Sequence, residues 1–458
     1  MFAIVRSSIF LFIFLKSFVV HAIAEPPGAL ISYVSPDSSQ HADILLTPAS
    51  TLKVVTATAA LKQLGKDYRY STSLSVKPSP QGMHIRLHMR GDPSFTSQDL
   101  VALLSKAKAQ LGSKVASVQV DDGEFTGHSR SQGQVWNDIG ICFAAPASSL
   151  NIDNNCINGN LKPGKVGQLS RLHISDSSLL NIDNQIVTVS PNHPRCEQNL
   201  LVGEHNQYSL QGCIKADRSM MPLRFSINDE HRYFSTKLKR GLARAGLSYK
   251  GSIAYQQQLS LYPELFNHQS APLLDLLEYM LVESDNLTAD SIFKTLAIEQ
   301  QRAGTFQQAS EVVVEELSAL GLDLSRTQIR DGSGLSRENL ISANLLYQIM
   351  LLWQSDPKLQ PLIERLPLAG ETGTLKYRRS VTRAPLKKQV RAKSGYVNGV
   401  INLVGFIEKS GQFRPFVLMV NGVSLNEAEA TAVRKRQTLH PVLRYEKEWL
   451  EQQWQMLN

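Results

Sequence analysis

The hydrophobic positions along this chain change their spacing twice. An apolar run from Ile9 to Val20 stands behind one early charge, Arg6, and before Ala22-Ile23-Ala24. A basic start, a short apolar run and a small-x-small triplet predict an export signal over residues 1–24. A membrane anchor is the competing reading, but a spanning helix wants roughly 20 apolar residues, and Lys16 interrupts this run. Ala29–Tyr33 then predicts a strand. Thr47 as a capping hydroxyl and Pro48 at the first helical position predict a helix from about Ala49 to Gly65. Its Leu52, Val55, Ala59 and Leu61 are apolar enough for a buried position.

From about 67 to 250 the helical spacing gives way to short β-like runs, such as Arg69–Val76 and Met83–Met89, separated by glycine, proline, serine and asparagine. One helix, Ser97–Leu111, is expected to interrupt them. Helical spacing returns near Pro272, where Leu273, Leu274, Leu276, Leu277, Met280 and Leu281 mark one helix. A second helix should follow Ser284-Asp285-Asn286, and a third should open at Thr305 with Gln308 in a capping-box pattern. A fourth runs from Ser342 to Trp353. Val400–Ile407 and Phe413–Val420 predict a hairpin about Lys409-Ser410-Gly411-Gln412, with Lys393–Tyr396 at the start of its first strand. Glu427–Gln455 reads as one charged amphipathic helix.

The chain has 458 residues and a formal charge of +8. Removing residues 1–24 leaves 46 basic against 40 acidic side chains, a surplus of +6. Such a protein suits anionic surroundings, but no Lys/Arg block with interleaved aromatics points to nucleic acid. About 430 residues beyond the signal exceed what one hydrophobic core supports, so two or more domains are expected. Cys142, Cys156, Cys196 and Cys213 allow three connectivities, and in an oxidising compartment nearest neighbours are expected to pair. These cysteines lack the spacing of a metal site, and no metal or cofactor is expected.

Three motifs follow in order: Ser50-Thr51-Leu52-Lys53, Ser284-Asp285-Asn286 and Lys393-Ser394-Gly395. Each pattern is common by itself. Their settings distinguish these copies: Ser50 opens a buried-type helix, the second motif lies between helices, and the third leads into an apolar strand. A serine hydroxyl is a poor nucleophile until a neighbour takes its proton. Lys53 does so only when neutral, which burial and a second cation, Lys393, would favour. Ser284 can relay a proton to a departing amine, and Asn286 can hold Lys53 and a substrate amide. Lys393 and Ser394 can bind a carboxylate, and Gly395 leaves room for substrate backbone. The amides of Ser50 and Tyr396 are the expected oxyanion donors.

These residues resemble the penicilloyl serine transferases, which include penicillin-binding proteins and class A β-lactamases. The gap between Ser50 and Ser284 is similar to that of the low-molecular-mass class C penicillin-binding proteins, D-alanyl-D-alanine carboxypeptidases and endopeptidases with a large insertion. Pro48-Ala49-Ser50-Thr51, Gly91-Asp92-Pro93, Trp136-Asn137-Asp138, Ala145-Pro146 and Asp331-Gly332-Ser333-Gly334-Leu335-Ser336-Arg337 fit as well.

The resemblance implies an α/β (α+β) fold: a β-lactamase/transpeptidase-like domain with an antiparallel sheet and a helical subdomain. That domain would comprise 25–66 and 255–458, interrupted by a mostly β insertion, 67–254, holding two smaller nested domains. Asp138, Phe143 and Arg337 would line a pocket for the free amino acid end of a diaminopimelate side chain. The implied partners are peptidoglycan pentapeptides and crosslinks, with β-lactams as covalent inhibitors, in the periplasm and with at most peripheral membrane contact.

Three departures stand out. Lys-Ser-Gly replaces the commoner Lys-Thr-Gly, the bulky Tyr396 follows it where relatives commonly carry a small serine, and Asn398 stands where a close relative has the longer glutamine. Two alternatives accompany the peptidase reading. A class A β-lactamase would need Glu-x-x-x-Asn after the second motif, whereas Glu264-Leu265-Phe266-Asn267 precedes it with the wrong spacing. A non-catalytic wall-binding protein would not need Ser50, Lys53, Ser284 and Lys393 together.

Overall fold

The computed structural model describes residues 23–457. The expected export signal therefore lies, but for its last two residues, outside the described residues. Two strands of ten residues, Val400–Lys409 and Gln412–Asn421, sit inside a five-stranded antiparallel sheet. Val390–Val397 forms one edge, and Leu30–Ser35 and Ser38–Gln40 complete the other side. Because successive side chains alternate faces, Val404 and Phe406 face one core while Ile401, Leu403 and Ile407 face another. The first core is filled by helices Lys53–Leu64, Leu273–Val282, Asn286–Glu299, Phe306–Ala319 and Ala343–Ser355. The second is covered by helix Pro441–Gln455 through Val442, Tyr445, Trp449 and Leu450.

Several expectations need correction. The turn carrying Ser50 is a 3-10 turn, Ala49–Leu52, which passes into the helix Lys53–Leu64. Thr47 supplies no side-chain cap; its backbone is instead fixed to the sheet, the amide by Asn421 (3.1 Å) and the carbonyl by Asn402 (3.0 Å). Val390–Val397 is a strand of its own, turning at Asn398-Gly399 into the hairpin. The C-terminal stretch is two helices, Glu427–Arg434 and Pro441–Gln455, because Pro441 cannot continue a helix from its N-terminal side. Thr305 accepts from the amide of Gln308, but the reciprocal half of the capping box is missing.

The middle of the chain forms a mixed five-stranded sheet of Ile253–Tyr255, Val115–Asp121, Met83–His88, Ser71–Lys77 and Glu264–Gln269, together with two three-stranded sheets. Helix Ser97–Leu111 lies where expected, but a second helix, Glu230–Arg244, packs beside it through Tyr233, Phe234, Leu238 and Leu242. Its abundance of lysine, arginine and histidine masked that stripe in the sequence. Glu264–Gln269 pairs with Ser71–Lys77, so this sheet continues beyond residue 254. We propose that the inserted region returns to the first unit at about Pro272, and that the separate core of Leu161, Ile186, Leu210 and Ile214 marks the smaller of two nested units. Disulfides join Cys142 to Cys156 and Cys196 to Cys213, with Cα separations of 5.4 and 5.3 Å. Among the described residues no helix is long and apolar enough to cross a membrane.

Candidate active site

The Ser50 turn is held from three sides. Asn402 donates to the carbonyls of Thr47 and Pro48 at 3.0 and 2.8 Å while accepting from the Val420 amide. The Thr51 hydroxyl donates to the Pro48 carbonyl at 2.7 Å. Gly334 lies so close behind that a Cβ there would fall 1.8 Å from the Ala49 carbonyl oxygen. Ala49 itself has φ of 49° and Ser284 φ of 58°, left-handed values that non-glycine residues rarely adopt. Backbone of this kind persists only where surrounding contacts over-determine it, and both residues adjoin or carry a motif hydroxyl.

Lys53 is fully buried at the start of its helix. Its Nζ lies 3.1 Å from Ser50 Oγ, 2.6 Å from Asn286 Oδ1 and 2.7 Å from the Ser333 carbonyl. The last two groups only accept. A neutral amine has two N–H bonds and one lone pair, so these acceptors take both hydrogens and leave the lone pair for the Ser50 hydroxyl. Burial lowers the Lys53 pKa to about 8, against the opposing pull of Asp290, Asp331 and Asp285. Asn286 is the first residue of its helix because Asp285 caps it, accepting from the Thr288 amide at 2.7 Å. The other end of the Asn286 amide donates to the Phe143 carbonyl at 2.7 Å, tying the site to the inserted region.

Lys393 is also fully buried, and it donates to Ser284 Oγ at 2.8 Å and to the Ser394 carbonyl at 2.9 Å. Burial holds its pKa well below the usual lysine value, and the charges of Lys53 and Arg378 push the same way. The Ala392 amide donates away from the sheet to the Pro367 carbonyl, at 3.0 Å. With period-2 alternation the amides of Ser394 and Tyr396 face the same open edge. Gly395 is required here, since a Cβ would sit 2.6 Å from the Pro48 carbonyl and 3.2 Å from the Thr51 amide nitrogen. Edge strand and Ser50 turn are thus in backbone contact, with outward amides beside the nucleophile.

Asp138, Phe143, Arg337, Tyr396 and Asn398 lie around this centre with few contacts. Burial raises the Asp138 pKa, and the positive charge of Arg337 counters it. Arg337 donates to the Asn398 carbonyl at 3.0 Å, so Asn398 is engaged through its backbone and not its amide arm. Phe143 is 45% and Tyr396 72% exposed. Four further contributors stand at the centre without a signal that had singled them out in the sequence. Thr374 Oγ1 lies 2.7 Å from Ser394 Oγ, and nothing in Gly-Glu-Thr-Gly-Thr distinguishes it. Ser333 contributes only a carbonyl, for which sequence carries no signal. Asp331 accepts from the Gly334 and Ser336 amides, Asn339 and Ser131, fixing the loop that presents that carbonyl. Asp290 accepts from the Gly332 amide and the Ser333 hydroxyl. It is one helical turn beyond Asn286, a spacing that could have revealed it. Burial and the neighbouring Asp331 push its carboxyl well above the usual range.

Residues 36–440 match the D-Ala-D-Ala carboxypeptidase 3 (S13) family. The chain belongs to this family. D-alanyl-D-alanine carboxypeptidase DacB of Haemophilus influenzae is 30% identical over 426 residues, which cover 89% of each chain. D-alanyl-D-alanine carboxypeptidase of Actinomadura sp. R39 is 27% identical, covering 91% of this chain and 83% of that one. The crystal structure of penicillin binding protein 4 from H. influenzae superimposes with a TM-score of 0.86 at 28% identity, covering 94% of this chain and 97% of the other. A second crystal structure of that H. influenzae protein, complexed with a β-lactam, gives a TM-score of 0.81 at 27% identity, covering 93% of this chain and 97% of the other.

Proposed function

We propose that this S13 family member is an exported serine-type D-alanyl-D-alanine carboxypeptidase that also cleaves D-alanyl crosslinks of peptidoglycan. The observation that carries the reading is Lys53, whose two carbonyl-type acceptors leave its lone pair for Ser50. As Ser50 Oγ bonds to the carbonyl carbon of the penultimate D-alanine, its proton passes to Lys53 Nζ. The oxyanion is received by the amides of Ser50 and Tyr396. When the carbon–nitrogen bond breaks, the proton returns through the Ser284 hydroxyl to the departing amine. Ser394, Thr374 and Lys393 receive the terminal carboxylate, whose charge favours a proton on Lys393. Water then attacks the ester carbon as Lys53 takes its proton, and Lys53 passes that proton to Ser50 Oγ as the carbon–oxygen bond breaks, which frees the acid product and restores the serine hydroxyl. A β-lactam presents an acyl carbon and a carboxylate at similar positions and leaves a long-lived ester.

Asp138 and Arg337 supply one negative and one positive group for the two charges of a free amino acid end, as in a diaminopimelate side chain. The β-lactamase alternative gains no support, because the Glu264–Asn267 stretch belongs to a strand of the inserted sheet. The export signal expected over 1–24 would place this activity in the periplasm. Labelling with a fluorescent penicillin tests the reading: a persistent adduct on the wild type and none on Ser50→Ala is expected. An adduct on Ser50→Ala at the wild-type rate would remove Ser50 as nucleophile. Digestion of purified monomeric and crosslinked muropeptides then tests both hydrolytic activities, and intact crosslinks throughout would remove the endopeptidase.

A further inference from the structure

The positive balance of the chain is concentrated on one face. Residues 370–391 and 434–444 hold eleven of the 48 basic and one of the 40 acidic side chains, a surplus of ten against eight for the whole chain. The two segments meet in space. Arg379 donates to the Thr438 carbonyl at 3.2 Å, and Lys376, Arg379, Lys387 and Arg436 line one cavity of about 540 Å³. Part of the charge is used internally: Arg378 pairs with buried Glu446, Arg391 with Glu408, and Lys387 and Lys388 share Glu371 at 3.7 and 3.5 Å. Among the described residues, Lys376, Arg379, Arg383, Lys435 and Arg436 have no carboxylate within 4.0 Å, and all five are exposed.

Tyr377 stands among them, 79% exposed, with the Lys376 ammonium 5.4 Å from its ring centre. A discrete site for a small anion is made of convergent, buried donors. Here the cations are spread over a surface and solvated, which suits a surface of distributed negative charge. An exposed tyrosine among lysines and arginines suits the boundary of a bilayer, where the ring lies among headgroups and its hydroxyl stays wet.

We propose that this basic face docks on an anionic phospholipid bilayer. Docking here orients the cleft, because Thr374, two residues before Lys376, hydrogen-bonds Ser394 on the edge strand of the active site. Each exposed cation near such a surface strengthens partitioning about fivefold, and the attraction is screened over about 8 Å at physiological salt.

Vesicle sedimentation with the mature full chain tests this. Wild type should pellet with phosphatidylcholine vesicles that contain phosphatidylglycerol, remain free with phosphatidylcholine alone, and be released by rising salt. The quadruple variant Lys376→Gln/Arg379→Gln/Lys387→Gln/Arg436→Gln should lose partitioning by on the order of several hundredfold while its fluorescent-penicillin labelling rate stays unchanged. Tyr377→Ser should weaken partitioning without altering its salt dependence. Equal pelleting of wild type and quadruple variant would overturn the proposal. So would salt-insensitive pelleting of the wild type, or retention on polyphosphate without any vesicle binding. The wild-type salt and lipid series decides the matter even if the quadruple variant fails to fold.

Discussion

The centre of the cleft and its rim are built on opposite terms. At the centre Lys53, Lys393, Asp290 and Asp331 are buried in the body of the protein, and each is held by neighbours fixed in position. At the rim Asp138 and Arg337 are half-buried and Phe143 and Asn398 exposed; Arg337 directs one hydrogen bond at a backbone carbonyl and retains donors for another ligand. Buried polar groups are costly unless satisfied, so the centre is set before substrate arrives. Of the rim residues, Phe143 lies in a loop stapled by Cys142–Cys156, and its carbonyl accepts from the Asn286 side chain. The chemistry thus rests on packing, while the rim is exposed and meets the centre where the Phe143 carbonyl holds the Asn286 side chain.

The sharpest way to break this comparison is at the centre. Lys53→Met keeps the volume and removes the base, so acylation by a fluorescent penicillin should fall by about a thousandfold, within the range for loss of general base catalysis. A protein that still melts cooperatively but labels at the wild-type rate would put the base elsewhere. The staple comes next. Cys142→Ser/Cys156→Ser opens a loop of 14 residues and should cost about 3 kcal/mol of stability by denaturant titration, with the Cys196→Ser/Cys213→Ser pair as reference. Because Phe143 is tied to Asn286, the first pair alone should also slow acylation.

The rim should separate two substrates. Arg337→Ala is expected to reduce cleavage of crosslinked muropeptides by about tenfold, as for loss of a charged hydrogen bond. Penicillin labelling should be nearly unchanged. Equal losses on both would make Arg337 structural. The smallest effect is expected at Thr374→Val, which should raise KM for peptides ending in a free carboxylate by about fivefold and leave C-terminally amidated analogues unaffected.

The sequence revealed the centre better than its surroundings. Ser50 and Lys53 are three residues apart on one helical turn, and the loop at Ser284 is bracketed by two strongly apolar helices, so local spacing carried the information. The hairpin of 400–421 was legible because its strands are apolar and its turn holds glycine. Thr374, the Ser333 carbonyl and the Asp331 network were not legible, since each acts through contacts between segments distant in the chain. Helix Glu230–Arg244 was missed because its buried stripe is narrow and its remaining positions are charged. The helix break before Pro441 was open to view in the proline and was overridden by the amphipathic pattern. The continuation of the inserted sheet through Glu264–Gln269 depends on pairing with a strand almost 200 residues earlier, which no local pattern encodes.

Every step assigned to the centre depends on Lys53 being neutral when Ser50 attacks, and the pH dependence of acylation measures this. With the Lys53 pKa lowered to about 8, its neutral fraction falls as pH decreases through that value. The second-order rate of β-lactam acylation should therefore rise with pH, approaching tenfold per pH unit below about 8, and level off above it. Lys53→Met should flatten the profile at its low residual rate. A wild-type rate that stays constant from about pH 6 to about pH 9 would contradict a neutral Lys53 as the base.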